Sequence, residues 1–250
     1  MSTSHNGQLV PWPLPVGPPT LPAHALQNAQ AATLAAPRLR YDPLSHLMFF
    51  TVDVVYGRRP SLAKFLVLEH LARIPYQTWE RVAQRAIVRT EGRSHLALRI
   101  MDRVVEARAQ QDNEQFHLLI IDELLIRRGA APGRFRYRIV PRLLAGPWHA
   151  FIWLLHLIRP AWSYRLNANF EDHAEHEYMH FVAQHPELDH EPVVCDAAHD
   201  YGRFDTVGDL LRQIGHDERV HKLESLAARQ RLQPSNDAHL DESDRDSHAA

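Results

Sequence analysis

Residues 210–222, with the sequence LLRQIGHDERVHK, carry Glu218 and His221 three positions apart, directly after Asp217. On a helix, positions i and i+3 share one face, so this carboxylate and this imidazole point to the same place. A carboxylate and an imidazole that converge in this way can bind a transition metal ion. The stretch therefore predicts one half of a metal site on a helix.

A second stretch with the same spacing lies at residues 111–118, QDNEQFHL. Glu114 precedes His117 by three positions there, and Asn113 takes the place that Asp217 has in the first stretch. Four-helix bundles that bind two iron ions use two Glu-x-x-His helices and one Glu from each of two further helices. The two stretches predict such a centre if two other helices each supply a Glu. Asn113 and Asp217 are then natural hydrogen-bond partners for the ligand histidines.

The composition is that of an ordinary globular chain and excludes several classes of protein. The 250 residues are 45% hydrophobic and 23% charged with a formal net charge of −2, so we expect no nucleic-acid partner. A single cysteine, Cys195, excludes internal disulfides and cysteine-rich metal sites. No apolar run reaches the roughly 20 residues that span a bilayer. No Lys or Arg precedes Arg38, so neither a signal peptide nor a transit peptide is predicted.

Two apolar segments, residues 49–56 and 143–158, predict contact with a membrane surface. The second, LLAGPWHAFIWLLHLI, has no formal charge and contains two tryptophans. It lies in a span without any Asp or Glu that holds Arg127, Arg128, Arg134, Arg136, Arg138, Arg142, Arg159 and Arg165. Such a segment suits the headgroup boundary of an anionic membrane. The alternative is a buried core helix with a solvated basic approach, but a peripheral, monotopic protein is favoured.

Three regions are predicted along the chain. Residues 1–40 contain seven prolines and predict a disordered or extended arm. Residues 231–250 are polar and predict a disordered tail. Residues 41–230 lack strand-type alternation and are predicted to form an all-α, ferritin-like four-helix bundle with a di-iron site and short membrane-associating helices.

Helical periodicity places four long helices in this middle region. The first begins after Ser61, a plausible N-cap, and carries Glu69 on its apolar stripe. A carboxylate on a core-facing stripe is costly unless it is paired or bound to metal. The other three helices are predicted over 94–127, from Pro160 to before Pro186, and after Asp205 or Thr206.

The third long helix leaves its metal ligand open. Glu171, Glu175 and Glu177 all lie on it, and their spacing does not decide between them. Glu171 lies seven residues before Tyr178, so these two side chains face the same side of the helix. Choosing Glu171 would place a phenol near the metals.

Two further Glu-x-x-His pairs occur in the sequence. Glu187 and His190 lie between two prolines in a predicted loop and are set aside. Glu177 and His180 lie on a predicted helix, where spacing does not exclude them. Their simplest interpretation is two polar residues on the outer face of that helix.

At these residues the sequence resembles the alternative oxidase family, the cyanide-insensitive di-iron quinol oxidases that lie on one membrane leaflet. The resemblance covers residues 45–226 and is carried by FLVLEHLARIPY at 65–76, NEQFHL at 113–118, EDHAEHEY at 171–178, and the stretch 205–221 that ends in DERVH. By position it implies six metal ligands: Glu69, Glu114, His117, Glu171, Glu218 and His221. It also implies two iron ions per chain and a redox-active tyrosine at Tyr178.

The resemblance implies an enzyme that oxidises a ubiquinol-type quinol and reduces O2 to water at the di-iron centre, without proton pumping. The expected quinol contacts are Lys64, Leu68, His173, Ala174 and Glu177. Lys64 stands where the family usually has Arg, while His173 and Glu177 also depart from the family pattern. We expect a homodimer on the cytoplasmic face of a bacterial inner membrane.

Two other functions are compatible with the same residues. A membrane-associated di-iron hydroxylase, for example one acting on a quinone precursor, would keep the metals and change the substrate. A helical bundle that only binds metal would need no tyrosine at position 178.

Overall fold

The computed structural model describes residues 19–232, which form eight α-helices and no β-strand. The helices are α1 (Ala23–Ala35), α2 (Pro43–Tyr56), α3 (Leu62–Ile87), α4 (Ser94–Arg127), α5 (Val140–Ile158), α6 (Pro160–Gln184), α7 (Asp196–Tyr201) and α8 (Val207–Gln230). A π-helical turn, Phe135–Ile139, precedes α5, and a 3-10 turn, Pro186–Asp189, follows α6. The prediction of an all-α, ferritin-like bundle is confirmed.

Four long helices form the bundle, with α3 packed along α4 and α6 packed along α8. Apolar side chains from all four meet between them, among them Phe65, Ile121, Phe181 and Leu210, each at most 6% exposed. Burial of such a core is the main favourable term for folding. α5 crosses α3 and also contacts α6, so it covers one side of the bundle.

Side-chain caps set where the ligand helices begin. Ser61 accepts a hydrogen bond from the backbone N–H of Lys64 at the start of α3, and Thr206 accepts one from Asp209 at the start of α8. Such caps satisfy N–H groups that have no partner within the helix. Both caps agree with the sequence prediction, so the register of Glu69 and Glu218 in the bundle follows from local signals.

The predicted arm over residues 1–40 is too long, because Ala23–Ala35 is the helix α1. This stretch is rich in alanine and contains no proline, since Pro22 precedes it and Pro37 follows it. Leu26 is fully buried, and Gln30 donates a hydrogen bond to the Met179 carbonyl of α6. Tertiary packing on α6 and α8 therefore extends the folded unit toward the N-terminus. Residues 1–18, which are part of the predicted arm, and residues 233–250, which are nearly all of the tail, lie outside the described residues.

Both α2 and α5 carry exposed apolar side chains. Those on α2 are Leu44, Leu47, Phe50 and Val54, and those on α5 are Leu143, Leu144, Phe151, Trp153, Leu154, Leu157 and Ile158. Phe49 and Val52, inside the predicted segment 49–56, face the core instead. Among the described helices, none combines the length and apolarity that crossing a bilayer requires.

Candidate metal centre

The six residues expected to bind metal converge in the middle of the bundle. Glu69 comes from α3, Glu114 and His117 from α4, Glu171 from α6, and Glu218 and His221 from α8. Their potential ligand atoms form two groups, each with all atoms within 4.8 Å of one another: Glu69, Glu114, His117 and Glu218, and then Glu114, Glu171, Glu218 and His221. Glu114 and Glu218 belong to both groups. This arrangement provides two adjacent cation positions joined by two shared carboxylates.

Both histidines direct Nδ1 toward the carboxylates. His117 Nδ1 lies 3.1 Å from Glu218 Oε1 and 3.5 Å from Glu69 Oε2. His221 Nδ1 lies 2.7 Å from Glu114 Oε1, although the geometry is not that of a hydrogen bond. The i, i+3 spacing on α4 and α8 thus brings each imidazole and its Glu to the same side of the helix.

The unsatisfied atoms of this cluster fit two metal ions. Each of the six residues is at most 1% exposed, and each has at least one polar atom without a hydrogen-bond partner. Buried polar groups are normally hydrogen-bonded, so such a concentration of unpaired oxygens and nitrogens needs a ligand. Four carboxylates also balance the charge of two divalent cations. Oxygen and imidazole ligands in this number suit iron or manganese.

The electrostatics of the cluster point the same way. Burial, together with the charges of Glu218 and Glu114, raises the pKa of Glu69 and of Glu171 well above the ordinary value. Burial alone would lower the pKa of His221, but its interactions with Glu114 and Glu218 raise it well above the usual value. Without metal, Glu69, Glu171 and His221 thus tend to keep their protons, which reduce the negative charge that bound cations would otherwise neutralise.

Tyr178 lies fully buried against this cluster. Its hydroxyl donates a short hydrogen bond to Glu69, and its ring stacks on Phe65 at a centroid distance of 4.0 Å. Burial, and then the nearby Glu69 carboxylate, raises the pKa of Tyr178 well above its usual range. The phenol is therefore neutral, fixed in place, and one hydrogen bond away from a proposed metal ligand.

A second buried tyrosine was missed in the sequence. Tyr76 donates a 2.7 Å hydrogen bond to Glu171 Oε1, and Asn167 donates to the same oxygen at 2.9 Å. The signal was available, because Tyr76 lies seven residues after Glu69, the spacing that relates Tyr178 to Glu171. Tyr76 therefore shares a helix face with Glu69 and donates to Glu171. Tyr178 shares a helix face with Glu171 and donates to Glu69.

Asp217 orients His117 from outside the cluster. Its Oδ2 lies 3.4 Å from His117 Nε2 and accepts hydrogen bonds from Asn113 at 3.0 Å and from the Tyr201 hydroxyl at 2.7 Å. Asn113 thus reaches a histidine only through Asp217, and neither residue contacts His221 in the way that the sequence predicted. Tyr201 was also missed, because its helix α7 falls in a short, polar stretch without a clear helical pattern.

The other acidic residues of α6 point away from the centre. Glu175 accepts hydrogen bonds from Thr33, Arg219 and Lys222, which join α1 and α8 to α6. Asp172, Glu175 and His176 lie close enough to resemble a third metal group, but the Lys222 ammonium already contacts both carboxylates.

Glu177 is buried and accepts a 3.0 Å hydrogen bond from Arg38, so the expectation that it lies on the outer face of its helix is wrong. Neither Glu177 nor His180 belongs to the two groups at the centre. Glu187 is exposed at the 3-10 turn, outside the bundle.

The side chains expected to contact quinol form a charged cluster between α2, α3 and α6. Lys64 is 1% exposed, with Nζ 2.8 Å from Asp53 and 3.6 Å from Glu177. Arg38 Nη1 lies 3.0 Å from His173 Nδ1. The His173 ring stacks on Phe49 at a centroid distance of 4.2 Å. Leu68 and Ala174, both buried, are the apolar members of the set.

This fold and this cluster together define a di-iron carboxylate protein of the four-helix-bundle class. The family model for alternative oxidase matches residues 39–227. The chain therefore belongs to the alternative oxidase family, which makes it a di-iron oxidoreductase. A comparison with curated proteins gives no significant match.

Proposed function

We propose that this protein is a terminal quinol oxidase, which transfers electrons from a ubiquinol-type quinol to O2 and forms water. Family membership supports the reaction class. The observation that carries the proposal is the pair of buried ligand groups sharing Glu114 and Glu218, with the Tyr178 hydroxyl on Glu69. Two quinols supply the four electrons and four protons that reduce one O2 to two waters.

Glu69, Glu114, His117, Glu171, Glu218 and His221 would hold two iron ions, which when bound supply the binding and stepwise reduction of oxygen. The chain's own groups control protons and geometry around that reaction. Tyr178 holds a proton at Oη, in contact with Glu69, and would be the residue that donates one electron for oxygen reduction. Phe65 keeps the ring in position, and Asp217 keeps the His117 imidazole turned toward the centre.

The quinol headgroup would bind beside Leu68 and Ala174, with His173 and Glu177 as its polar contacts. Burial and the nearby Arg38 lower the pKa of His173 to about 3, so the imidazole is neutral. Because Nδ1 accepts from Arg38, the proton lies on Nε2, which is buried without a partner. Glu177 Oε2 is likewise buried without a hydrogen bond. His173 Nε2 could therefore donate to a quinone oxygen. Glu177 Oε2, which lies 3.6 Å from Lys64 Nζ, could accept from a quinol hydroxyl.

A lipid-soluble quinol would reach this site through the apolar surface of α2 and α5, which we propose to lie on a membrane leaflet. Among the described residues, no carboxylate lies within 4.0 Å of Arg134, Arg136, Arg142 or Arg159, so these cations can meet anionic headgroups. Vesicle flotation tests the proposal: Leu47→Glu combined with Leu154→Glu should weaken binding to anionic vesicles. The homodimer and the cytoplasmic face of a bacterial inner membrane stay predictions.

One observation favours hydroxylation as a second candidate. Lys64 and Arg38 bring two cationic groups to the proposed headgroup site, where both lie near Glu177. Such groups can also bind the carboxylate of an aromatic quinone precursor. A hydroxylase would place an atom of labelled oxygen in the organic product. An oxidase would place all of it in water.

The decisive experiment is oxygen uptake by membranes that contain the protein, with a reduced short-chain quinol and with cyanide present. We expect uptake in the parent and none in Glu171→Ala at matched expression. Glu187→Gln, which changes an exposed Glu outside the bundle, serves as the matched control and should keep the parent rate. If protein with two irons per chain gives no oxygen uptake, the oxidase proposal is wrong. The labelled-oxygen experiment then tests whether the protein is a hydroxylase.

A further inference from the structure

The two buried tyrosines at the metal centre have reciprocal positions. Tyr178 on α6 donates to Glu69 of α3, and Tyr76 on α3 donates to Glu171 of α6. Both hydroxyls therefore have a carboxylate that can accept the phenolic proton if the ring loses an electron. The Tyr76 ring also contacts His221, at a centroid distance of 5.5 Å.

Tyr76 differs from Tyr178 in what lies behind it. Trp79 packs edge-on against Tyr76 at 5.3 Å between centroids, and Tyr164 packs against Trp79 at 4.5 Å. Tyr76 and Trp79 form a small core of their own with Ala107, against which Tyr164 packs. The Trp79 indole N–H donates a 2.7 Å hydrogen bond to Ser163, so its orientation is fixed. Because electron tunnelling weakens exponentially with distance, three oxidisable rings in van der Waals range make a continuous one-electron path.

This row of rings ends at a cavity of about 450 Å³ between α3, α4, α6 and α8. Trp79 and Tyr164 form part of its wall. Three exposed arginines, Arg99, Arg103 and Arg231, also line it. Of these, Arg231 is 3.5 Å from Glu106, while no carboxylate among the described residues lies within 4.0 Å of Arg99 or Arg103. Glu224 lines the cavity as well, so three arginines face two carboxylates there. The remaining positive charge favours a small anionic molecule.

We propose that Tyr76, Trp79 and Tyr164 form a second one-electron path to the metal centre, separate from Tyr178, through which a small anionic reductant in the cavity can supply electrons. This inference rests on the proposed oxygen chemistry but not on quinol as the substrate. Its use would be to quench an oxidised centre when quinol is absent. The path leads away from the charged headgroup site, so the two sources of electrons do not compete for space.

The transfer balances as a sequence of one-electron steps. Tyr76 gives one electron to the oxidised centre, and its phenolic proton moves along the hydrogen bond to Glu171. Trp79 reduces the Tyr76 radical, which recovers that proton, and Tyr164 reduces the Trp79 radical cation while its own proton passes to water in the cavity. Ascorbate, a monoanionic enediol, then gives one electron to the Tyr164 radical, which takes back a proton from water. In the net change ascorbate gives one electron to the centre and one enol proton to water, and it becomes the ascorbyl radical anion.

The test uses iron-loaded, reduced protein with Tyr178→Phe, so that Tyr178 contributes no radical. The protein is mixed with oxygen without quinol and frozen at successive times for electron paramagnetic resonance. We expect a tyrosyl signal that disappears when Tyr76→Phe is added. Ascorbate should quench the signal about tenfold more slowly when Trp79→Phe is added instead. The Trp79 indole hydrogen-bonds Ser163, and its ring partners are Tyr76, His156 and Tyr164. Its substitution therefore reports on electron transfer rather than on a hydrogen bond to a ligand.

The matched control is Trp162→Phe, which removes an exposed tryptophan that packs on Arg159 rather than on the path. It should leave the quenching rate unchanged, and equal iron content should hold for all variants. A signal that persists without Tyr76, or quenching that Trp79→Phe does not slow, overturns the path. If the iron-loaded parent reacts with oxygen but Tyr178→Phe does not, this inference is overturned and the proposed function stands. If neither protein reacts with oxygen, both are overturned. If the signal depends on Tyr76 but the parent protein does not oxidise quinol, the electron path is supported and only the assignment of quinol as the substrate is rejected.

Discussion

Replacing Glu171 with Gln should weaken metal binding and at the same time stabilise the metal-free protein. Glu171 belongs to one of the two ligand groups, whereas Glu114 belongs to both. We therefore expect about two irons per chain in the parent, about one in Glu171→Gln and almost none in Glu114→Gln. The number of ions that each variant loses follows from whether the replaced carboxylate belongs to one ligand group or to both.

The decrease in Tm when the metal is removed should be proportional to the number of ions that each variant binds. A ligand at a hundred times its Kd stabilises the folded state by about 2.7 kcal/mol. For a chain of this length that corresponds to roughly 5–10 °C per bound ion. Complete chelation should therefore lower the Tm of the parent by roughly 10–20 °C, that of Glu171→Gln by about half as much, and that of Glu114→Gln hardly at all.

The metal-free comparison has the opposite sign. Burial and the Glu218 and Glu114 charges raise the pKa of Glu171. At neutral pH the apoprotein must therefore either bury the ionised carboxylate or take up a proton on folding, and both destabilise the folded state. Gln has the same shape without the charge, and it can still accept hydrogen bonds from Tyr76 and Asn167. Apo Glu171→Gln should melt above the apo parent. The difference should vanish at low pH, where the parent carboxyl is protonated in both states, and grow as pH rises above the ordinary value of 4.5.

Iron analysis and differential scanning calorimetry, each with and without a chelator, check both signs. Glu187→Gln controls for the loss of a negative charge and should match the parent in every measurement. Parent-level iron in Glu171→Gln, or an apo variant that melts below the apo parent, would refute the assignment of Glu171 to a repulsive metal cluster.

Three smaller predictions concern groups around the centre. Tyr201→Phe removes the 2.7 Å hydrogen bond to Asp217 and should weaken iron binding about tenfold in a chelator competition, without changing the iron-to-chain ratio at saturation. Glu123→Gln should lower the free energy of unfolding by about 1 kcal/mol, because Glu123 accepts hydrogen bonds from the first backbone N–H groups of α7. Burial by itself would raise the pKa of Glu123, but these hydrogen bonds outweigh it and lower the pKa to about 2. Urea titrations should therefore show the stabilisation by Glu123 intact above pH 4.5 and lost as the pH falls toward 2. Burial and the Glu123 carboxylate raise the pKa of Cys195 to about 11, so iodoacetamide should label native protein at pH 8 far more slowly than protein unfolded in urea.

Helix positions could be predicted because their signals are local. The caps at Ser61 and Thr206, the proline at 160 and the glycine after α4 each act within one helical turn, and they mark ends that the structure also has. α1 was missed because its own periodicity is weak and its stability comes from packing on α6 and α8. α7 is held by Glu123, a residue of α4 that is distant in sequence.

The sequence by itself determined the helical class, the family and the helix face on which each proposed ligand lies, because i, i+3 and i+7 spacing is a property of one helix. It left Glu171, Glu175 and Glu177 equivalent until the family motif was considered. Only the tertiary structure decided that Glu175 meets Lys222 and Glu177 meets Arg38. It also decided that Glu114 and Glu218 are shared, and that Tyr76 and Tyr178 each reach across to the opposite helix. These relations depend on the rotation and separation of packed helices, which sequence spacing along a single helix does not contain.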